Sequence, residues 1–214
     1  MGKTLAFLLP LVQSLKADVQ GVQAVVLVPS RELALQIENV FKPMNVPFMA
    51  MSCYGGRPAM DEHRTMRGIN PAVIIGTPGR MNDHLRKQNF DTRFVTTLVI
   101  DEFDKCLEFG FHDEMAEGIG QLPALKKRVV LSATDAEEIP QFTGVGGGES
   151  SPQVVKLNFL SGETVSGRLD LQKVISPQKD KLETLYRLLC TLGDRSTLVF
   201  VNYRESVERT VAYL

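Results

Sequence analysis

No stretch of the 214-residue sequence approaches the roughly 18–20 consecutive apolar residues that a membrane-spanning helix requires, so no span is expected. Cysteine is scarce. Cys53, Cys106 and Cys190 are an odd set with neither CxxC nor Cys/His spacing, which argues against a disulfide scaffold and a zinc site and favours a reduced, intracellular setting. Gly (17) and Pro (11) stay at ordinary levels, which removes collagen-like and low-complexity classes. A secretory signal is not supported either: the opening MGKTLAFLLPLVQSLKA carries an apolar run of only eight residues, broken by Pro10. Position six is Ala6, not the Ser or Thr of a myristoylation signal.

Net charge is nearly absent, at −1 from 24 basic and 25 acidic residues, but the charges are unevenly placed. Between Arg57 and Arg93 the balance is +3, and between Asp101 and Glu138 it is −6. The first stretch suits anion contact and the second cation contact. With 43% hydrophobic residues, the length allows one or two domains with a sizeable core.

Short apolar runs recur: AVVLV (24–28), PAVIIG (71–76), TTLVID (96–101), KRVVLSA (127–133), QVVKL (153–157) and STLVFV (196–201). Such runs predict strands buried on both faces, the mark of a parallel sheet covered by helices, hence an α/β fold. Ser30 caps a predicted helix with Leu33, Ile37, Val40 and Phe41 on one face. Pro78 suits the first turn of another over 80–88, Lys179–Leu192 predicts a third, and a fourth begins near 203. The Gly/Ser-rich run GVGGGESS (144–151) breaks this rhythm. The expected division is a first domain over 1–157, a linker over 158–170 and part of a second domain over 171–214.

Three short motifs carry chemistry. Gly2-Lys3-Thr4 before an apolar helix matches the end of a phosphate-binding loop, in which Lys reaches phosphates and the hydroxyl holds Mg²⁺. Asp101-Glu102-Phe103-Asp104 follows a predicted buried strand, where open α/β sheets bind ligands. One carboxylate there can hold Mg²⁺ and the next can activate water, as phosphoryl transfer requires. Ser132-Ala133-Thr134 closes the next strand with two hydroxyls able to bond Asp104.

The ordered set resembles the DEAD-box ATP-dependent RNA helicases over essentially the whole chain. GKT with LAFLLPL is similar to the tail of that family's first motif, and PSRELALQI (29–37) to its PTRELA motif. Gly55-Gly56 matches its double glycine, TPGR (77–80) and SAT (132–134) are identical to its motifs, DEFD replaces DEAD, and LVFVNYRES (198–206) resembles the opening motif of its second domain. The resemblance implies a RecA-like parallel sheet flanked by helices, with the first domain nearly complete and a second begun. It implies ATP and Mg²⁺ at Gly2, Lys3, Thr4 and Asp101, with Thr4 and Asp101 serving the metal partly through water. Glu102 would activate the hydrolytic water, and Asp104 with Ser132 and Thr134 would link hydrolysis to strand separation. RNA backbone would pass Pro29, Ser30, Arg31, Gly55, Gly56, Thr77, Pro78, Gly79 and Arg80 without base readout; Arg57 and Arg64 would extend that surface.

The implied setting is cytoplasmic, with nuclear or nucleolar placement open for a eukaryotic source. Ser30 in place of threonine keeps the hydroxyl, and Phe103 in place of alanine adds bulk that packing must absorb. The resemblance also implies a fragment, because upstream loop glycines and later second-domain arginines do not occur in the sequence. As written, the chain is expected to hydrolyse ATP poorly. Two other readings stand beside this one: a catalytically incomplete RNA- or protein-binding module, and a DNA-directed relative.

Overall fold

The computed structural model describes residues 2–56, 58–134, 139–145, 154–158 and 170–214. The chain forms two compact units, Met1–Ser161 and Gly162–Leu214. The first holds five parallel strands: β1 (Ala24–Leu27), β2 (Ala50–Cys53), β3 (Val73–Gly76), β4 (Thr97–Ile100) and β5 (Lys127–Val130). They lie in the order β2-β3-β1-β4-β5. Strands β1 to β4 are buried at every position, which explains why their sequences run apolar without alternation.

Alternate residues of each strand feed two cores. Val25, Leu27, Ile74, Leu98 and Ile100 face one side with Met81 and Leu85 of α4 (Pro78–Arg86), Phe103 and Cys106 of α5 (Phe103–Glu108), and Met115 and Ile119 of α6 (His112–Gly120). Met66 of α3 (Ala59–Ile69) joins them. Ala24, Val26, Val28, Val73, Ile75 and Val99 face the other side, against Phe7, Leu8 and Leu11 of α1 (Gly2–Ser14) and Ala34, Ile37 and Phe41 of α2 (Arg31–Phe41). The result is a three-layer α/β/α unit, as the apolar pattern predicts.

Close packing leaves its trace at Gly76, where an added Cβ would lie 2.7 Å from the Cys53 carbonyl oxygen. Only glycine lets the ends of β2 and β3 approach so closely.

The second unit contains α7 (Leu182–Leu192) and α8 (Arg204–Tyr213). Helix α7 starts three residues later than Lys179, where Asp180 Oδ1 accepts a bond from the Leu182 N–H at 3.2 Å. Two expected strands do not form among the described residues. Residues 154–157 and 196–201 form no sheet, and Val155, Leu157, Leu198 and Phe200 are exposed. A strand exists through its partners, and none pairs with these runs among the described residues. Most of the predicted linker and of the run 144–151 lies outside the described residues.

Candidate functional site

Every motif in the first unit that follows a strand leaves its carboxyl end. Pro29-Ser30-Arg31 follows β1, Gly55-Gly56 follows β2, Thr77-Pro78-Gly79-Arg80 follows β3, Asp101 to Asp104 follows β4, and Ser132 to Thr134 follows β5. Because all five strands are parallel, these loops share one sheet edge. The strand order also sorts them. The Ser/Arg and glycine loops occupy the adjacent strands β2, β3 and β1, whereas the acids and the hydroxyl pair occupy β4 and β5.

At the acidic half, Asp101 is 5% exposed and its Oδ1 accepts from the Glu102 N–H at 2.9 Å. Burial pushes its carboxyl above the usual range; the Glu102 N–H and the Lys3 ammonium pull the other way, and Asp104 adds to the rise. Lys3 is thus electrostatically felt at Asp101, joining the start of α1 to β4. Lys3 itself is exposed, Gly2 lies beside it, and Thr4 is buried. Glu102 caps α5 with φ 50° and ψ 51°, a left-handed conformation that a residue bearing Cβ adopts at a cost of about 1–3 kcal/mol. Thr134 donates from Oγ1 to Asp104 Oδ2 at 3.2 Å, and Ser132 Oγ accepts from the Thr134 N–H at 3.2 Å. The sequence-predicted contact between SAT and Asp104 is therefore made through Thr134.

A carboxyl raised by burial binds its proton more tightly folded than unfolded, so that proton stabilises at acid pH and the contribution is lost as pH rises through the native pKa. At neutral pH the Asp101 charge opposes folding. Asp101→Asn keeps an acceptor for Glu102, so it should raise the melting temperature at neutral pH, with the gain shrinking toward acid. Thermal melts across that range check this; a lower neutral-pH melting temperature would contradict it.

At the other half, Ser30 Oγ accepts from the Leu33 N–H at 3.3 Å, the cap expected from sequence. Arg31 is exposed, with its guanidinium 4.9 Å from the centre of the Tyr54 ring. Pro29 is buried; Gly55, Gly56 and Gly79 are exposed, and Thr77 is half-buried ahead of Pro78. The Thr77 N–H donates to the Cys53 carbonyl at 3.2 Å, tying the third loop to the second. Arg80 departs from a simple surface role: its side chain is 10% exposed and turns to Glu62, Nε lying 3.6 Å from Oε2. Arg64 is exposed on α3, and Arg57 lies outside the described residues.

Glu62, His84 and Cys53 carry no motif in the sequence, yet they form a buried cluster whose polar atoms lie within 4.8 Å of one another. Burial holds the Cys53 thiol far above its ordinary range, so it stays protonated, and Arg80 already supplies a positive charge. The cluster is therefore better described as an internal ion-pair network than as a metal centre. A signal did exist: Glu62 stands one turn before Met66 on the inward stripe of α3, and His84 lies between Met81 and Leu85 on α4.

Fold and site together define a RecA-like helicase domain, with acids and glycine loops shared along one edge of a parallel sheet. The chain belongs to the DEAD/DEAH box helicase family, whose model matches residues 1–142. Curated relatives include the ATP-dependent RNA helicase CshA of Listeria monocytogenes, 30% identical over 97% of this chain and 39% of that protein. The ATP-dependent rRNA helicase spb4 of Schizosaccharomyces pombe is 31% identical over 97% of this chain and 36% of its own length. The chain thus spans about two fifths or less of the curated relatives it matches. Among solved structures, Mss116p bound to ssRNA and AMP-PNP aligns with a TM-score of 0.59 at 38% identity, covering 64% of this chain and 30% of that one. No helix among the described residues is long and apolar enough to cross a membrane.

Proposed function

We propose that this chain is part of an ATP-dependent RNA helicase, coupling ATP hydrolysis to RNA binding and local strand separation. The observation that carries the reading is the sorting of one sheet edge into a carboxylate half on β4 and β5 and a glycine and arginine half on β2, β3 and β1. Lys3 and Thr4 contact ATP phosphates, with Gly2 in the same loop; Glu102 activates the attacking water. Asp104, Ser132 and Thr134 carry the state of the nucleotide to the RNA side. The loops at Pro29 to Arg31, Gly55-Gly56 and Thr77 to Arg80 hold the sugar-phosphate chain without reading bases, through the N–H groups of their non-proline residues and the exposed Arg31, while the Arg80 side chain stays on Glu62.

Mg²⁺ fits this donor set. Asp101 is a buried carboxylate whose charge is penalised by desolvation, and Asp104 Oδ1 is buried without a hydrogen-bond partner among the described residues. With the Thr4 hydroxyl, Asp101 would hold the ion, which would supply charge neutralisation to the phosphates. Residues 1–157 form the first RecA-like domain in this reading, 158–170 a linker, and 171–214 part of a second.

The test is equilibrium binding of fluorescent ten-nucleotide RNA and DNA single strands to the chain, titrated with salt. RNA binding that is independent of sequence and falls by about 0.7 log units per tenfold salt for each phosphate held is expected. No RNA binding at low salt would overturn the reading, and tighter DNA binding would move it to the DNA-directed relatives.

A further inference from the structure

Glu62 occupies the junction of two loops proposed to hold RNA. Its Oε1 accepts from the Tyr54 N–H at 3.1 Å, and Tyr54 is the residue immediately before Gly55-Gly56. Its Oε2 faces Arg80, the last residue of TPGR, and lies 2.8 Å from His84 Nε2 one turn further along α4. The Asn89 amide nitrogen lies 2.8 Å from His84 Nδ1 and donates there, which leaves the Nε2–H to donate to Glu62. The carboxylate is 4% exposed, so each of its oxygens is committed to a partner in a site with little access for water.

We infer that Glu62 is a positioning residue for RNA binding, clamping the Gly55-Gly56 loop and the N-terminal turn of α4 in one register so that their backbone donors meet consecutive phosphates. The inference rests on the proposed function above. The geometry explains three otherwise separate facts: an acid on the buried stripe of α3, an arginine turned inward from a loop expected to face RNA, and a fully buried histidine on α4. A buried pair with one partner removed leaves the other charge unpaired, so the clamp has few substitutes.

The sign of the effect separates positioning from plain electrostatics. Removing an acid beside an RNA surface would strengthen RNA binding if only net charge mattered. Positioning predicts the reverse. Glu62→Gln should raise the Kd of the chain for a fluorescent ten-nucleotide uridine strand about tenfold and flatten the salt slope by about 0.7 for each phosphate no longer held. Simple loss of folded protein would lower the active fraction without changing that slope. His84→Leu keeps the carboxylate with Tyr54 and Arg80; it should weaken binding in the same direction by roughly two- to threefold. It decides the matter if Glu62→Gln fails to give a cooperative melt. Either folded variant binding RNA as tightly as the parent, or more tightly, overturns the inference while leaving the proposed function standing. Failure of the parent chain to bind RNA would remove both.

Discussion

Glu102→Gln should lower ATP hydrolysis by about 10²–10⁴-fold, the usual contribution of a positioned general base, in a polypeptide extended to the length of the relatives. Glu102 follows directly on the buried Asp101, and its own N–H is spent on Asp101 Oδ1 at 2.9 Å. That bond and the left-handed backbone fix where the side chain leaves the sheet edge. Gln has the same shape and preserves the backbone bond, but it cannot accept a proton from water. Nucleotide affinity should therefore stay close to the parent value while phosphate release in single-turnover experiments collapses. Equal rates in parent and variant would remove Glu102 from the role.

Phe103→Ala should destabilise the first unit by about 3–5 kcal/mol, the cost of emptying a filled aromatic site, even though it restores the alanine of the family's DEAD motif. The Phe103 side chain is fully buried and packs in the core that contains Cys106, Met115, Leu98 and Ile100. Its N–H donates to the Leu131 carbonyl at 2.9 Å, so the backbone at this point is also tied to the loop after β5. The neighbouring Cys106 is fully buried too, and burial, with the nearby acids, pushes its thiol up to about 12. Collapse around alanine is limited because α5 and α6 are both anchored on the same core. Urea unfolding of the chain and of the variant gives the difference directly. A loss below about 1 kcal/mol would mean that the core repacks around the missing ring.

The strands at 24–27, 73–76 and 97–100 are legible in the sequence because β-branched and leucine runs buried on both faces have no polar alternation to disguise them. β2 is not: Ala50-Met51-Ser52-Cys53 contains no β-branched residue, and the Ser52 hydroxyl is satisfied by donating to Glu38 of α2. Helices α5 and α6 give no clear signal because one has six residues and the other contains two glycines, so neither offers a long apolar stripe. Conversely, residues 196–201 read as a strand from composition and pair with nothing among the described residues; propensity describes one chain segment and a sheet requires two. At the site, the acids and hydroxyls follow from local order along the sequence. The Glu62, Arg80 and His84 network does not, since it joins α3 to α4 through a hydrogen bond between Glu62 and His84, 22 residues apart in sequence. The inward turn of Arg80 follows from the same network.

Coupling between the two halves of the sheet edge is read most directly from the steady-state rate of ATP hydrolysis by a polypeptide of the relatives' length containing this chain, titrated with single-stranded RNA. If the carboxylate half and the glycine and arginine half of the sheet edge act as one device, the rate rises saturably with RNA and the half-maximal concentration shifts upward with salt. Hydrolysis that is indifferent to RNA, under conditions where RNA is shown to be bound, would contradict the account.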